Sequence, residues 1–111
     1  MEKLRPATAA DAPAVAACVA AAYRLYIARI GKPPGPMLDD YDEVLRKHRV
    51  FVLEHDGAVI GLFVLIVEPG RALLDNVALL PQFQGRGLGR RLITHAEEEA
   101  RLKLVLPTRA R

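Results

Sequence analysis

The chain has one cysteine among its 111 residues, no tryptophan, three tyrosines and three phenylalanines. A single thiol cannot close an internal disulfide, so a stapled secreted scaffold is excluded and a reducing cytoplasm is the expected location. Cys18 itself, inside an alanine-rich segment, reads as a buried helical residue. No apolar run approaches the roughly 20 residues that span a bilayer. The alanine-rich segment is not read as a leader, because Asp11 and Pro13 interrupt its start and amphipathic residues follow. No membrane association is expected. The net charge of +3 is mild and the arginines are dispersed, which argues against nucleic acid as a partner. The three histidines, His48, His55 and His95, lack metal-ligand spacing, so no metal is expected. His48 and His55 read as loop residues and His95 as a surface residue of a helix. What remains is an ordinary globular balance, 51% apolar and 26% charged without repeats, in a chain long enough for one domain.

The stretch from Leu73 to Ala100 organises the rest. Leu73 to Leu80 is an apolar run broken by Asp75 and Asn76 and closed by Pro81, which predicts a strand. From Leu88 the period changes: Leu88, Leu92, Ile93, Ala96 and Ala100 share one helical face, with Arg90, Arg91, Glu97, Glu98 and Arg101 elsewhere. Between strand and helix lie Gly85, Gly87 and Gly89, whose missing Cβ atoms let a ligand touch the backbone. The first amides of a helix have no internal partners and carry the positive end of its dipole, so this turn suits a phosphate or pyrophosphate. Arg86, Arg90 and Arg91 crowd that same end, where an ordinary helix favours acids, and an anion would relieve the arrangement. The other reading of the arginines is that they simply point into water.

A dinucleotide fold also joins a strand, a glycine turn and a helix, but with G-x-G-x-x-G spacing and an acid about 20 positions on. Here the spacing is G-x-G-x-G, and the downstream region reads Leu104-Val105-Leu106-Pro107-Thr108. There is no Walker lysine and no second βαβ unit.

Gln84-Gly85-Arg86-Gly87-Leu88-Gly89 resembles the Q/R-x-x-G-x-G/A signature of the GCN5-related N-acetyltransferases (GNAT), and Asn76 to Pro81 resembles that family's fourth strand. The likeness runs from about residue 3 to about residue 105. It implies an α+β, three-layer fold in which a mixed, mostly antiparallel sheet is flanked by helices. It further implies that the amides from Gln84 through Gly85, Arg86, Gly87, Leu88 and Gly89 to Arg90 hold the pyrophosphate of acetyl-coenzyme A. The exposed backbone around Val77, Ala78 and Leu79 would pair with the pantetheine arm, where two strands of the family splay apart. Family members usually continue with another helix and two strands, and a tyrosine thought to protonate the leaving thiolate often lies there. On that likeness residues 1–111 are expected to form one acetyl-coenzyme A-binding domain that stops short at its C-terminus, with no residue assignable as the acid.

Taken in order, Lys3 to Pro6 predicts a first strand. Thr8 with Asp11 resembles a capping box, with Asp11 before Pro13 a competing cap, and a helix follows to about Ile30. Val15, Val19, Ala22, Tyr23 and Tyr26 share its inner face, and Gly31 stops it. Tyr23 and Tyr26 read as core residues or as substrate-lining ones. A stiff Gly31–Pro36 loop leads to a second helix, Met37 to Lys47, with Asp39, Asp40 and Tyr41 near its start. In the resembled family this region shapes the acceptor pocket, and two carboxylates there would favour an amine; helix capping is the equal alternative. Arg49 to Glu54 and Ala58 to Glu68 predict strands joined by a His55-Asp56-Gly57 hairpin turn. Lys103 to Leu106 is expected to return as a parallel fifth strand by a right-handed crossover. Its outer edge would invite a second copy of the chain.

Acetyl transfer to an amine needs a neutral nitrogen, a polarised carbonyl and a proton for the departing thiolate. The resemblance implies direct attack, with the carbonyl oxygen held by a backbone amide at or near Val77. Asp75 is the candidate base, lying in an apolar strand two residues before Val77, with a wet strand end as its plainer role. Asn76 orients a water or satisfies a bulge. The expected function is therefore an N-acetyltransferase using acetyl-coenzyme A on a primary amine of a small molecule or peptide. The alternative is a module that binds coenzyme A and transfers nothing.

Overall fold

In a computed structural model, residues 2–30, 39–103 and 108–110 are described, with side chains within 2–24 and 39–102. Neighbouring residues of a strand point to opposite faces, and in the central strands both sets are apolar, so the sheet must be covered on both sides. Its strands are β1 (Glu2–Pro6), β2 (Arg49–His55), β3 (Ala58–Glu68), β4 (Arg71–Leu79) and β5 (Thr108–Ala110), hydrogen-bonded in that order. The first four are antiparallel neighbours and β5 runs parallel to β4. Helices α1 (Ala12–Ile30) and α2 (Tyr41–Lys47) cover one face, where Val15, Cys18, Val19 and Tyr41 pack on Val50, Val52, Leu62, Val64 and Ala78. Helix α3 (Leu88–Lys103) covers the other, laying Leu88, Leu92, Ala96 and Ala100 on Phe51, Leu53, Phe63 and Leu65. The expected three-layer, mostly antiparallel α+β architecture is the one observed.

Four expectations need correcting. The second helix was expected from Met37 but Asp39 and Asp40 are not helical; Asp40 instead caps Tyr41, its carboxylate accepting from the Asp42 amide at 3.1 Å. Met37 and Leu38, like Gly31, lie outside the described residues. Lys103 belongs to α3 rather than to a fifth strand, and the parallel strand is Thr108–Ala110; residues 104–107 lie outside those described. Ile93 is 43% exposed although the helical period places it beside Leu92, because the two differ by a rotation of about 100° and the contact stripe is narrow. His55 is the last residue of β2 and not part of the turn; its Nδ1 lies 2.9 Å from the Glu2 carboxylate on β1.

The start of the chain is fastened by charge. The Arg5 guanidinium donates to both carboxylate oxygens of Asp11, at 2.8 and 2.9 Å, and to Glu54 at 2.8 Å, while Asp11 also accepts from the Thr8 amide at 2.7 Å. This is the Asp11 half of the expected capping box. Arg5 holds the Asp11 carboxyl down to about 2, from an ordinary 3.8. A carboxyl lowered on folding adds stability above its unfolded value and loses it as pH falls toward the folded one. Asp11→Asn should therefore lower the urea midpoint at neutral pH, and the gap to the wild type should close between about 3.8 and about 2.

Gly61 has a packing role with no sequence signal to announce it. A Cβ there would stand 3.0 Å from Leu79 Cδ1, 3.1 Å from the Ala78 carbonyl and 3.2 Å from Leu92 Cδ1. The missing side chain lets α3 settle against β3 and β4. Gly61→Ala should destabilise by about 1–3 kcal/mol in chemical denaturation, the usual range for overpacking.

Candidate functional site

The site begins with one extra residue in β4. Val64 pairs with Asn76 and Leu65 with Leu74, so Asp75 is the unpaired residue of a β-bulge. Ala72 and Leu74 face α3, and beyond the bulge it is Val77 and Leu79 that pack on that side, while Asn76 and Ala78 turn to the α1 face. A bulge was read at Asn76; the surplus residue is Asp75, and its effect is to aim Asn76 inward. Ala78, expected beside the ligand arm, accordingly buries its side chain against the opposite layer.

The bulge also sets which backbone groups are free. The Leu80 amide donates to the Ile60 carbonyl at 2.8 Å, so by strand alternation the peptide groups of Ala78 and Asn76 face β3 and those of Val77 and Leu79 face away. Among the described residues β5 covers only Ala72 to Leu74. From Val77 to Leu79 no described strand is paired with the far edge of β4.

Next to this edge lies the glycine turn. Pro81–Phe83 forms one 3-10 turn, Gly85 and Gly87 follow with φ of 83° and 80°, and α3 begins at Leu88. These positive φ values are ones that side-chain-bearing residues adopt at a cost, which accounts for two of the glycines. The first helical bond, from the Arg91 amide to the Gly87 carbonyl at 3.1 Å, leaves the Leu88, Gly89 and Arg90 amides ahead of the ladder. A Cβ built on Gly85, Gly87 or Gly89 would meet nothing within 4 Å. The glycines thus border open space, in a cleft of about 460 Å³ lined by Val77, Leu79, Gln84, the three glycines and Arg90. No acid sits in the first turn of α3. The cleft has the shape and polarity for a diphosphate continued by an extended arm along β4.

Of the three arginines that the sequence crowds at this turn, one lines the cleft. Arg90 lines the cleft, whereas Arg86 lies over the Phe83 ring at 5.4 Å and Arg91 reaches toward the Glu2 carbonyl at 3.5 Å. Leu88 is buried beneath the turn as an anchor. The Gln84 side chain is committed to the protein, its Nε2 donating to the Leu79 carbonyl at 3.1 Å.

On the other face of the sheet, Tyr23, Asn76 and Tyr41 come together from three elements. Asn76 is only 4% exposed; its Nδ2 donates to the Tyr41 hydroxyl at 3.1 Å and its Oδ1 accepts from the Tyr23 hydroxyl at 2.9 Å. The Tyr23 hydroxyl also lies 3.1 Å from the Val77 carbonyl. Burial, then the nearby charge of Asp39, drives the Tyr41 hydroxyl well above its ordinary value, with Tyr23 and Asp75 adding to it. Tyr41 therefore stays protonated, and the two carboxylates lie close enough to be felt there. Of the residues expected around an acceptor, Tyr23, Asp39 and Tyr41 are thus brought near Asp75 and Asn76. Asp40 is used as the helix cap, and the Tyr26 side chain lies outside those described. No sequence pattern foretold that Asn76 would link the two tyrosines, because the pairing spans three elements far apart in the chain.

Cys18 is buried and its thiol is pushed up to about 12 by that burial, so it is no nucleophile. His95 is packed rather than free, with its ring centroid 5.0 Å from that of Phe51 and 6.1 Å from that of Phe63. Among the described residues no group of three or more His, Cys, Asp or Glu could hold a metal ion. Within the same residues no helix is long and apolar enough to cross a membrane.

The sequence model of the Acetyltransferase (GNAT) family matches residues 15–110. No curated protein sequence matches the chain. Among solved structures, the ribosomal-protein-S18-alanine N-acetyltransferase from Escherichia coli superposes with a TM-score of 0.73 at 22% identity, over 93% of this chain and 61% of that one. The PaiA N-acetyltransferase from Thermoplasma acidophilum, in complex with coenzyme A, gives 0.75 at 15% identity over 93% of this chain and 74% of that one. An aminoglycoside acetyltransferase from an uncultured soil metagenomic sample, in complex with sisomicin, gives 0.74 at 16% identity over 99% and 76%. At these identities the likeness is one of fold, and the chain spans 61% of the length of the Escherichia coli protein.

Proposed function

The chain belongs to the acetyltransferase (GNAT) family, and from that premise we propose that it transfers the acetyl group of acetyl-coenzyme A to a primary amine of a small molecule or peptide by direct attack. The observation that carries this reading is the open cleft at the glycine turn, which Val77 and Leu79 of β4 also line. In it the amides from Gly85 to Arg90 receive the diphosphate, the Gln84 amide expected to join them being committed to the Pro81 carbonyl at 3.2 Å, with the Arg90 side chain adding charge and the arm running along Val77 and Leu79. The Val77 amide, turned toward that edge, is placed to hold the thioester oxygen as negative charge develops on it. Asp75 takes the proton from the attacking nitrogen, and the charges of Asp39 and Asp75 favour the approach of an amine. Most of the acceleration would come from holding the two reactants in line rather than from covalent chemistry. The acceptors named for the similar structures are a ribosomal-protein alanine and an aminoglycoside, one peptide amine and one small-molecule amine.

The same reading places the enzyme in the cytoplasm and pairs it with a second copy through the outer edge of β5, which a mass at twice the monomer in gel filtration would support. Calorimetry with coenzyme A, together with thiol release from acetyl-coenzyme A over a panel of peptide and small-molecule amines, tests the activity. Binding with release is the expected result. Binding without release for any amine would assign a coenzyme A-holding module instead, and absence of both would remove the proposal.

A further inference from the structure

Helix α2 joins two regions of opposite charge. At its start Asp40 is the cap, Asp42 and Glu43 stand in the first turn, and the Tyr41 hydroxyl meets Asn76 of β4. At its other end Arg46 and Lys47 form the last turn, and with His48, Arg49 and Val67 they line a concavity of about 370 Å³. Every side chain in that lining is basic or apolar. The pocket lies at the opposite end of the sheet from the glycine turn, because Val67 pairs with Ala72 near the start of β4, whereas Leu79 ends that strand beside the cleft.

Cations in the last turn complement the helix dipole, which accounts for Arg46 and Lys47. It does not account for Arg49, a residue of β2, or for the donors left over. Glu43 takes Arg46 at 2.7 Å and Lys47 at 3.2 Å, and Glu99 takes Arg49 Nη2 at 2.9 Å. Neither acid lines the pocket, so three cations face two carboxylates held outside it. Among the described residues Arg49 Nη1 and the His48 ring have no hydrogen-bond partner. Beside them Val67 is a large apolar side chain left 40% exposed. The wall therefore offers donors, surplus positive charge and one apolar contact, and no side-chain carboxylate.

We propose that this pocket holds an acidic stretch of a peptide acceptor, with carboxylates on Arg46, Lys47 and Arg49 and an apolar side chain on Val67, while the acceptor's amine lies at the other end of α2. The inference rests on the amine-acetylation reading and narrows it from any primary amine to that of a peptide. Charge complementarity carries it: an amine end meets the acids around Tyr41, and an acidic end meets the bases around Lys47. Arg46 and Lys47 are long and largely exposed, with 69% and 63% of their side chains open, so they satisfy carboxylates at several positions rather than one fixed group. The helix sets the spacing. From Tyr41 to Lys47 it rises about 9 Å, which about three extended residues cover. An amine without acids at that distance gains nothing from the pocket.

The test uses two peptides with the same amine end, followed about three residues on by a stretch of glutamates or of glutamines, so that they differ in charge alone. Thiol release reports acetyl transfer, and fluorescence anisotropy of the labelled peptides, with coenzyme A present, reports binding. The wild type should show a KM for the glutamate peptide about fivefold below that for the glutamine one, at equal kcat, the scale of two or three exposed ion pairs. The gap should close as salt rises. Arg46→Gln combined with Lys47→Gln should bring the two KM values together, whereas a loss of fold would lower kcat for both peptides. Equal KM and equal binding in the wild type, or a glutamate preference that survives in the double variant, overturns the inference and leaves acetyl transfer in place. If neither peptide is turned over, a glutamate preference in anisotropy that the double variant abolishes supports the pocket and counts against the acetyl-transfer reading. Equal binding in that case removes the pocket as well.

Discussion

Gly87→Val is expected to weaken coenzyme A binding at least about a hundredfold, while Gly57→Val, with the same backbone strain, leaves it unchanged. Gly87 and Gly57 have φ of 80° and 82°, and a Cβ at either would meet nothing within 4 Å. A β-branched residue in that conformation costs about 1–3 kcal/mol wherever it sits, enough to lower the melting temperature by several degrees in a domain of this size. The two variants therefore share the folding penalty. They differ in what the new methyl groups enter. At Gly57 it is the solvent beside the β2–β3 turn; at Gly87 it is the cleft under the first amides of α3, where a diphosphate must come within hydrogen-bond distance of the backbone. A hundredfold is about 2.7 kcal/mol, the scale of one or two charge-assisted hydrogen bonds. Calorimetry on the two variants, each checked by thermal melting, reads the difference. Equal affinity in both would mean that the glycines serve only the turn and that the anion lies elsewhere.

How far this site could be read from the sequence depended on whether its parts were local. The strand, glycine turn and helix from Arg71 to Lys103 are consecutive, and each announces itself by period or by punctuation, so the cradle was legible almost residue by residue. The three layers came with the family resemblance rather than from the residues, and the structure gives their reason, since apolar side chains on both faces of β2 and β3 demand cover on each side. The rest was set by tertiary geometry. Arg86 and Arg91 carry the same charge as Arg90, but Phe83 and the β1 backbone draw them aside, and nothing in the spacing of charges tells these apart. The bulge at Asp75 is invisible because Leu74, Asp75, Asn76 and Val77 show a period only once the partner strand is known. Without it Asn76 would not meet Tyr23 and Tyr41, which lie 53 and 35 positions away. His95 has a polar helical address, yet Phe51 and Phe63 from two other strands reach it.

Asp75→Asn should cut the turnover of acetyl transfer by about a hundredfold and leave the affinity for coenzyme A within twofold. As the surplus residue of the bulge, Asp75 is released from the pairing register two positions before Val77, whose amide faces the open edge. Its charge adds, as the least of the causes, to the rise of the Tyr41 hydroxyl, so the carboxylate is within electrostatic reach of the Tyr23–Asn76–Tyr41 group. Asparagine keeps the size and one hydrogen-bonding oxygen but cannot take a proton, and loss of a positioned base typically costs 10²–10⁴ in rate. The deficit should shrink as pH rises, because a larger fraction of the amine is then already neutral and solvent can accept the remaining proton. A merely structural carboxylate would give a different pattern: both parameters would fall together, the melting temperature would drop, and the ratio of variant to wild-type rates would stay constant with pH. Measuring kcat, coenzyme A affinity and the pH profile on the same preparation separates the two, and undiminished turnover in the variant would move the base to another residue.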